Sequence, residues 1–203
     1  MSAFLGSIHY QMYQKIEFQN ELVKKLSEMI MEKGYDKDIP LCMKENCGTL
    51  EDGNLEEIID KNNIHGWIQE KIAVVESSLA FLVTFLIDKN PEALKDIKEA
   101  AYHFGESRKM SGRQSVSEAY KYLDSLFLNG MPCDKVLSFV SQDEHLFVWR
   151  QEMDIHSVYW EAYQGDVRHY YDIRETLASG ILENTGVVYT QLEDQRYSLA
   201  KEE

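Results

Sequence analysis

Apolar residues recur along the N-terminal part of the chain at steps of three and four. Ile8, Met12, Ile16, Val23, Leu26 and Ile30, with Gln19 filling one turn, fall on a single face of a 3.6-residue repeat. This pattern predicts one long helix from about Ala3 to Lys33, stopped by Gly34, a residue suited to the left-handed backbone that ends helices. The stretch "YDKDIPLCMKENCGTLEDGN" follows. Pro40, Gly48 and Gly53 break its periodicity, so it reads as a loop that ends in a short helix around Asn54 to Asp60.

A second long helix is predicted from about Ile64 to Lys89, with Asn62 or Asn63 as its cap. Its segment "IAVVESSLAFLVTFLI" is apolar nearly all round, and a helix without a polar face has to be surrounded by other elements. It is therefore expected at the centre of the fold. Asn90 and Pro91 supply a cap and a first-turn proline for a helix reaching about Met110. "SVSE" at Ser115 to Glu118 matches a capping box and opens a helix that ends near Asn129 and Gly130. Further helices are expected from about Pro132, over residues 155–162 with Asp154 as cap, and from Asp166 to about Asn184. "VVYTQLEDQRYSLA" alternates and then breaks at Glu193 and Asp194, so residues 185–203 read as a small β-hairpin or an irregular tail. The sum is an all-α fold: one domain over residues 1–203, a helical bundle of about five to seven helices around the buried 64–89 helix.

Length and composition agree with one domain. A chain of 203 residues hides roughly 70% of its unfolded surface, and only three prolines interrupt it. The formal net charge of −14 sets acids well above bases. Nucleic acids and anionic membrane surfaces need clustered Lys and Arg, so neither is an expected partner. The longest apolar run, Ile72 to Ile87, is broken by Glu76 and falls short of the ~20 residues that cross a bilayer. The start "MSAFLGSIHYQMYQKIEF" lacks the basic and apolar regions of a signal peptide. Three cysteines, Cys42, Cys47 and Cys133, fit a reducing compartment. A cytoplasmic protein is expected.

No glycine-rich phosphate loop and no nucleophile elbow is present, so no nucleotide cofactor is expected. The chemistry-bearing residues concentrate instead in "EMDIHSVYWEAYQGDVRHYY", residues 152–171. Asp166 and His169 are three apart at a helix start and so share a side. The turn "YQGD" is able to fold His156 back toward them, with Glu152 one turn earlier. Cys133, one residue after Pro132, falls in the first turn of the helix expected there, where free N–H groups favour a thiolate. Imidazole with carboxylate suits iron, zinc or manganese. The expected function is therefore binding of a transition metal through His156, His169, Asp166 and Glu152 or Cys133, with redox or hydrolytic chemistry if a coordination position stays open.

Two other readings compete. The aromatic residues of this stretch also suit a plug closing one end of a bundle. The protein would then be a non-catalytic interaction or small-ligand-sensing domain, with a homodimer as its expected assembly. Glu76 carries its own ambiguity: it lies either on a wet stripe with Ser77 or Thr84, or inside the bundle facing a histidine or a metal. The His and carboxylate content is similar to that of ferritin-like and hemerythrin-like bundles. Their Glu-x-x-His spacing is absent, and no residue role is carried across.

Overall fold

The computed structural model describes residues 5–202. Ala3, where the first helix was expected to begin, lies outside them. The N-terminal helix is α1, Ser7–Glu32, and the central one is α4, Ile64–Lys89. Both match the apolar periodicity. Asn63 caps α4 by accepting from the Gly66 N–H at 3.2 Å. The two helices run side by side in the same direction. His9 meets His65 (ring centroids 5.7 Å apart) and Tyr13 meets Trp67 (5.9 Å) at one end. At the other, Lys89 pairs with Asp36, just past α1, at 2.8 Å. The parallel course requires a return segment, made by residues 33–63. Part of the loop expected there is helical, with α2, Ile39–Cys47, carrying Pro40 in its first turn and α3, Leu55–Ile58, following. Proline is tolerated at that position because its missing N–H would have had no partner.

Next come α5, Ala93–Glu106, and α6, Val116–Leu126. Ser115 and Glu118 form the expected reciprocal capping box at the start of α6. After α6 the structure departs from the all-α expectation. Pro132–Asp134 is a single 3₁₀ turn, not the start of a helix. Lys135 then takes a left-handed backbone (φ 51°), and the chain enters β1, Leu137–Gln142, and β2, Leu146–Gln151. Two short helices follow, α7, Ser157–Glu161, and α8, Arg168–Ile181. The C-terminal segment is a true hairpin of β3, Val187–Gln191, and β4, Arg196–Lys201. It does not stand alone. β2 pairs with β4 to join both hairpins into one antiparallel sheet, in the order β1-β2-β4-β3.

Among the described residues the fold is thus mixed: eight α-helices with a helical content of 57% and a four-stranded antiparallel sheet holding 12%. The reason lies in what a strand needs. Val136, Phe139 and Val140, at steps of three and one, fit a helical repeat, so the local pattern does not mark a strand. The hydrogen-bond partners that select the extended form sit on β2 and, through it, on β4 about sixty residues away. Aromatic packing adds to the choice. Tyr120 of α6 stacks on Phe147 of β2 with centroids 4.1 Å apart, and Trp149 stacks on Tyr197 of β4.

The core divides into a large cluster joining α1, α4, α5, α8 and the sheet, and a smaller one at the N-terminal ends of α1 and α4. The 127–136 segment crosses between them, with Phe127 in one and Leu128 in the other. Within the large cluster, α5 and α8 touch backbone to backbone. A Cβ on Gly105 would fall 2.3 Å from the Leu177 carbonyl oxygen, and one on Gly180 would fall 2.2 Å from that of Tyr102. Among the described residues, no helix is long and apolar enough to cross a membrane.

Candidate functional site

Glu76 sits in the middle of α4, where the residues around it are buried and mostly apolar. Its own exposure is 2%, so the wet-stripe reading does not hold. A carboxylate there requires a partner, and the partner is His156, whose Nδ1 lies 3.0 Å from Glu76 Oε2. His156 is 1% exposed. An Nδ1–H donated to the carboxylate orients the ring and directs the second nitrogen, Nε2, elsewhere. Nε2 is fully shielded from solvent and has no hydrogen-bond partner among the described residues.

Local structure fixes the imidazole from several directions. Asp154 Oδ1 accepts from the backbone N–H of His156 (2.9 Å) and of Ser157 (3.0 Å), and its other oxygen takes the Ser157 hydroxyl. These bonds hold the chain just before α7, which begins later than the sequence suggested, with His156 and not Asp154 as its N-cap. Burial would raise the Asp154 carboxyl, but the Ser157 contacts and the His156 N–H outweigh it and hold it below the ordinary range. The Tyr170 ring stacks on the imidazole with centroids 3.8 Å apart, and Tyr171 stands edge-on at 6.0 Å. Gln151 Nε2 donates to the Tyr171 hydroxyl at 2.9 Å. Burial pushes both tyrosine hydroxyls well above their usual range, and the Glu76 charge adds to this at Tyr170.

Behind Tyr170 lies Arg174, also buried. It donates to Asn129 Oδ1 at 2.8 Å and lies over the Phe127 ring at 4.8 Å. Burial works against its charge, but the surrounding Tyr170, Tyr189 and Tyr197 keep the guanidinium protonated.

The other face of Glu76 opens on a pocket of about 280 Å³ beneath α7. Gln69, Glu76, Asp134 and Tyr159 supply its polar groups, and Ile72 and Val158 are among its apolar walls. Among the described residues, no Lys or Arg lines it. Burial, then the Glu76 charge, raises the Tyr159 hydroxyl. The pocket therefore presents carboxylates, an amide and a phenol beside apolar walls.

The five residues expected to gather round a metal are spread over several places. His156 joins Glu76. Asp166 forms an ion pair with Arg168 and accepts its N–H at 2.9 Å, which holds the Asp166 carboxyl down to about 2. His169 stays near Asp166, as its spacing required, but its shielded Nδ1 has no partner and its ring lies 6.4 Å from that of Trp160. Glu152 follows β2 and takes the Ser138 hydroxyl. Cys133 is exposed on the 3₁₀ turn, with Sγ 3.7 Å from Asp134 Oδ1. The helix start that was to favour its thiolate does not exist. Among the described residues, no group of three or more His, Cys, Asp or Glu side chains is arranged to hold a metal ion.

Sequence reasoning singled out Glu76 and His156 separately but did not pair them, and it missed Tyr159, Gln69, Tyr170 and Arg174. Only Glu76 carried a local signal, a charge inside an apolar run. The others look like ordinary surface or core residues until the helices are packed. No protein-family model, no curated protein and no solved structure matches this chain.

Proposed function

We propose that the protein binds a small organic molecule in the pocket beneath α7, and that Glu76 is the group that receives it. The observation that carries this reading is the position of Glu76. It is a buried carboxylate, braced by His156 on one side and lining a pocket on the other. A ligand with an amine, or another cationic hydrogen-bond donor, on an apolar body matches a lining that has carboxylates and no basic side chain. The hydrogen bond from the His156 imidazole holds the Glu76 carboxylate in place, so the receiving group is already oriented before a ligand arrives.

The test uses benzylamine as probe, followed by amide chemical shifts. Saturable shifts confined to α4, α7 and residues 128–134, lost in Glu76→Gln and in the pocket-filling Val158→Trp, support the reading. Gln keeps the acceptor for His156 Nδ1–H, and Val158 is 63% exposed, so both variants are expected to fold. Absence of saturable shifts in the wild type, or binding unchanged in both variants, sinks it.

Transition-metal binding is the second reading, and one observation favours it. An imidazole that gives Nδ1–H to a carboxylate and keeps Nε2 free of hydrogen bonds is the usual form of a metal-ligating histidine. His169 has a similarly unpartnered nitrogen. This reading needs the 152–169 segment to rearrange so that His156 and His169 meet. Elemental analysis of protein grown with iron, zinc and manganese decides it. At least one equivalent of metal, lost in His156→Ala and in His169→Ala but kept in His145→Ala, would establish it. Metal-free wild type removes it.

A further inference from the structure

On the opposite side of Gly130 from the pocket, a cleft of about 600 Å³ runs between α1, α6 and residues 129–137. Its charge is unlike that of the rest of the molecule. Among the described residues, Lys15, Lys121 and Lys135 line it against a single carboxylate, Asp124, in a chain of net charge −14. Lys15 is the deepest of the three, with 14% of its side chain exposed. Its ammonium forms a loose ion pair with Asp124 at 3.8 Å, too long for a hydrogen bond. Lysine rarely gives up water without a close partner. Burial, with the nearby Arg174 charge, lowers the Lys15 pKa, and Asp124 only partly offsets this. Asp124 is also engaged elsewhere, since Asn129 Nδ2 donates to it at 3.4 Å while Asn129 Oδ1 receives Arg174. A fourth positive charge therefore stands behind the cleft floor. Met12, Met131 and Val136 give the cleft apolar walls.

We infer that this cleft is a binding site for a small organic anion, with a carboxylate or phosphate head held by Lys15, Lys121 and Lys135 and an apolar body laid against Met12 and Val136. A concave surface of one sign with low-dielectric walls focuses its field on the opening. The inference stands apart from the proposal for Glu76, because the two sites have different linings and opposite charge preferences.

The experiment is a chemical-shift titration of the full chain with phenyl phosphate and, separately, with benzoate, with benzyl alcohol as the neutral control. Saturable shifts at amides of α1, α6 and residues 129–137, weakened by added salt, are expected with at least one anion. Whichever binds tighter identifies the head group. The double variant Lys121→Gln/Lys135→Gln changes exposed side chains only, and it should weaken binding about tenfold, as loss of charge-assisted contacts does. Lys15→Gln should weaken it at least as much. Three outcomes overturn the inference: no saturable shifts with either anion, equal affinity in the double variant, or benzyl alcohol binding in the same place as tightly as the anions.

Discussion

His156 and Glu76, eighty residues apart in the chain, meet side chain to side chain at 3.0 Å in a place that solvent barely reaches. The pair ties α7 to α4, and either residue alone would be a polar group without a partner in an apolar setting. Glu76→Ala is expected to cost about 3 kcal/mol, because the imidazole is left buried and unpaired. Glu76→Gln preserves an acceptor and should cost nearer 1 kcal/mol. Urea unfolding of both variants, of His156→Ala and of the double mutant measures the coupling. Additive losses from the two alanine changes would show that the contact contributes nothing.

The contact of α5 with α8 predicts a reversal of ordinary helix propensity. Alanine normally improves a helix interior over glycine by about 1 kcal/mol. At Gly105 and Gly180 the added methyl would strike a carbonyl oxygen of the facing helix. Gly105→Ala and Gly180→Ala should each destabilise the fold by about 1–3 kcal/mol. Denaturant midpoints of the two variants check this, and a gain in stability from either would mean the helices are free to move apart.

Asp154 gives a pH dependence of known sign. Its carboxyl is held below the ordinary value of 3.8, so its ionised form favours the folded state. That contribution is complete above the ordinary value and is lost as pH falls through the lower, folded-state one. Asp154→Ala should cost about 1 kcal/mol at neutral pH, the usual loss for a side chain satisfying a helix start. The gap between variant and wild-type melting temperatures should close below about pH 4. A gap that stays constant from pH 7 to pH 3 would assign the effect to something other than the Asp154 charge.

Cys133 is exposed, whereas Cys42 and Cys47 are partly buried. Burial also raises the Cys47 thiol, with the Tyr163 hydroxyl 3.3 Å away opposing it only in part. Iodoacetamide at neutral pH should therefore modify Cys133 first and Cys47 last. Peptide mapping over time tests the order. Cys47 reacting as fast as Cys133 would mean that α2 opens readily from α4.

The helical portion of this fold was largely legible in the sequence. The 64–89 helix, the Asn63 cap and the Ser115–Glu118 box rest on interactions that span no more than a turn or on a face that repeats along one element. Such signals are local, and the chain carries them whatever it packs against. Glu76 was marked for the same reason, as a charge inside an apolar run.

What tertiary structure decided has the opposite character. β1 became a strand because β2 was there to receive its hydrogen bonds, and the C-terminal hairpin joined a sheet because β4 found β2. Cys133 lost its expected helix through the same event. His156 was drawn to Glu76 and away from His169 by the docking of α7 on α4, and the lysines of the cleft gathered only when α1 and α6 came together. A hydrogen-bond partner, a buried charge's counterpart and the sign of a cleft are properties of surfaces brought together from distant segments. The sequence by itself determined the long, capped helices and which residues are costly to bury. Packing determined which of those residues meet, because the cost of leaving a polar group unpaired is met only in the folded chain.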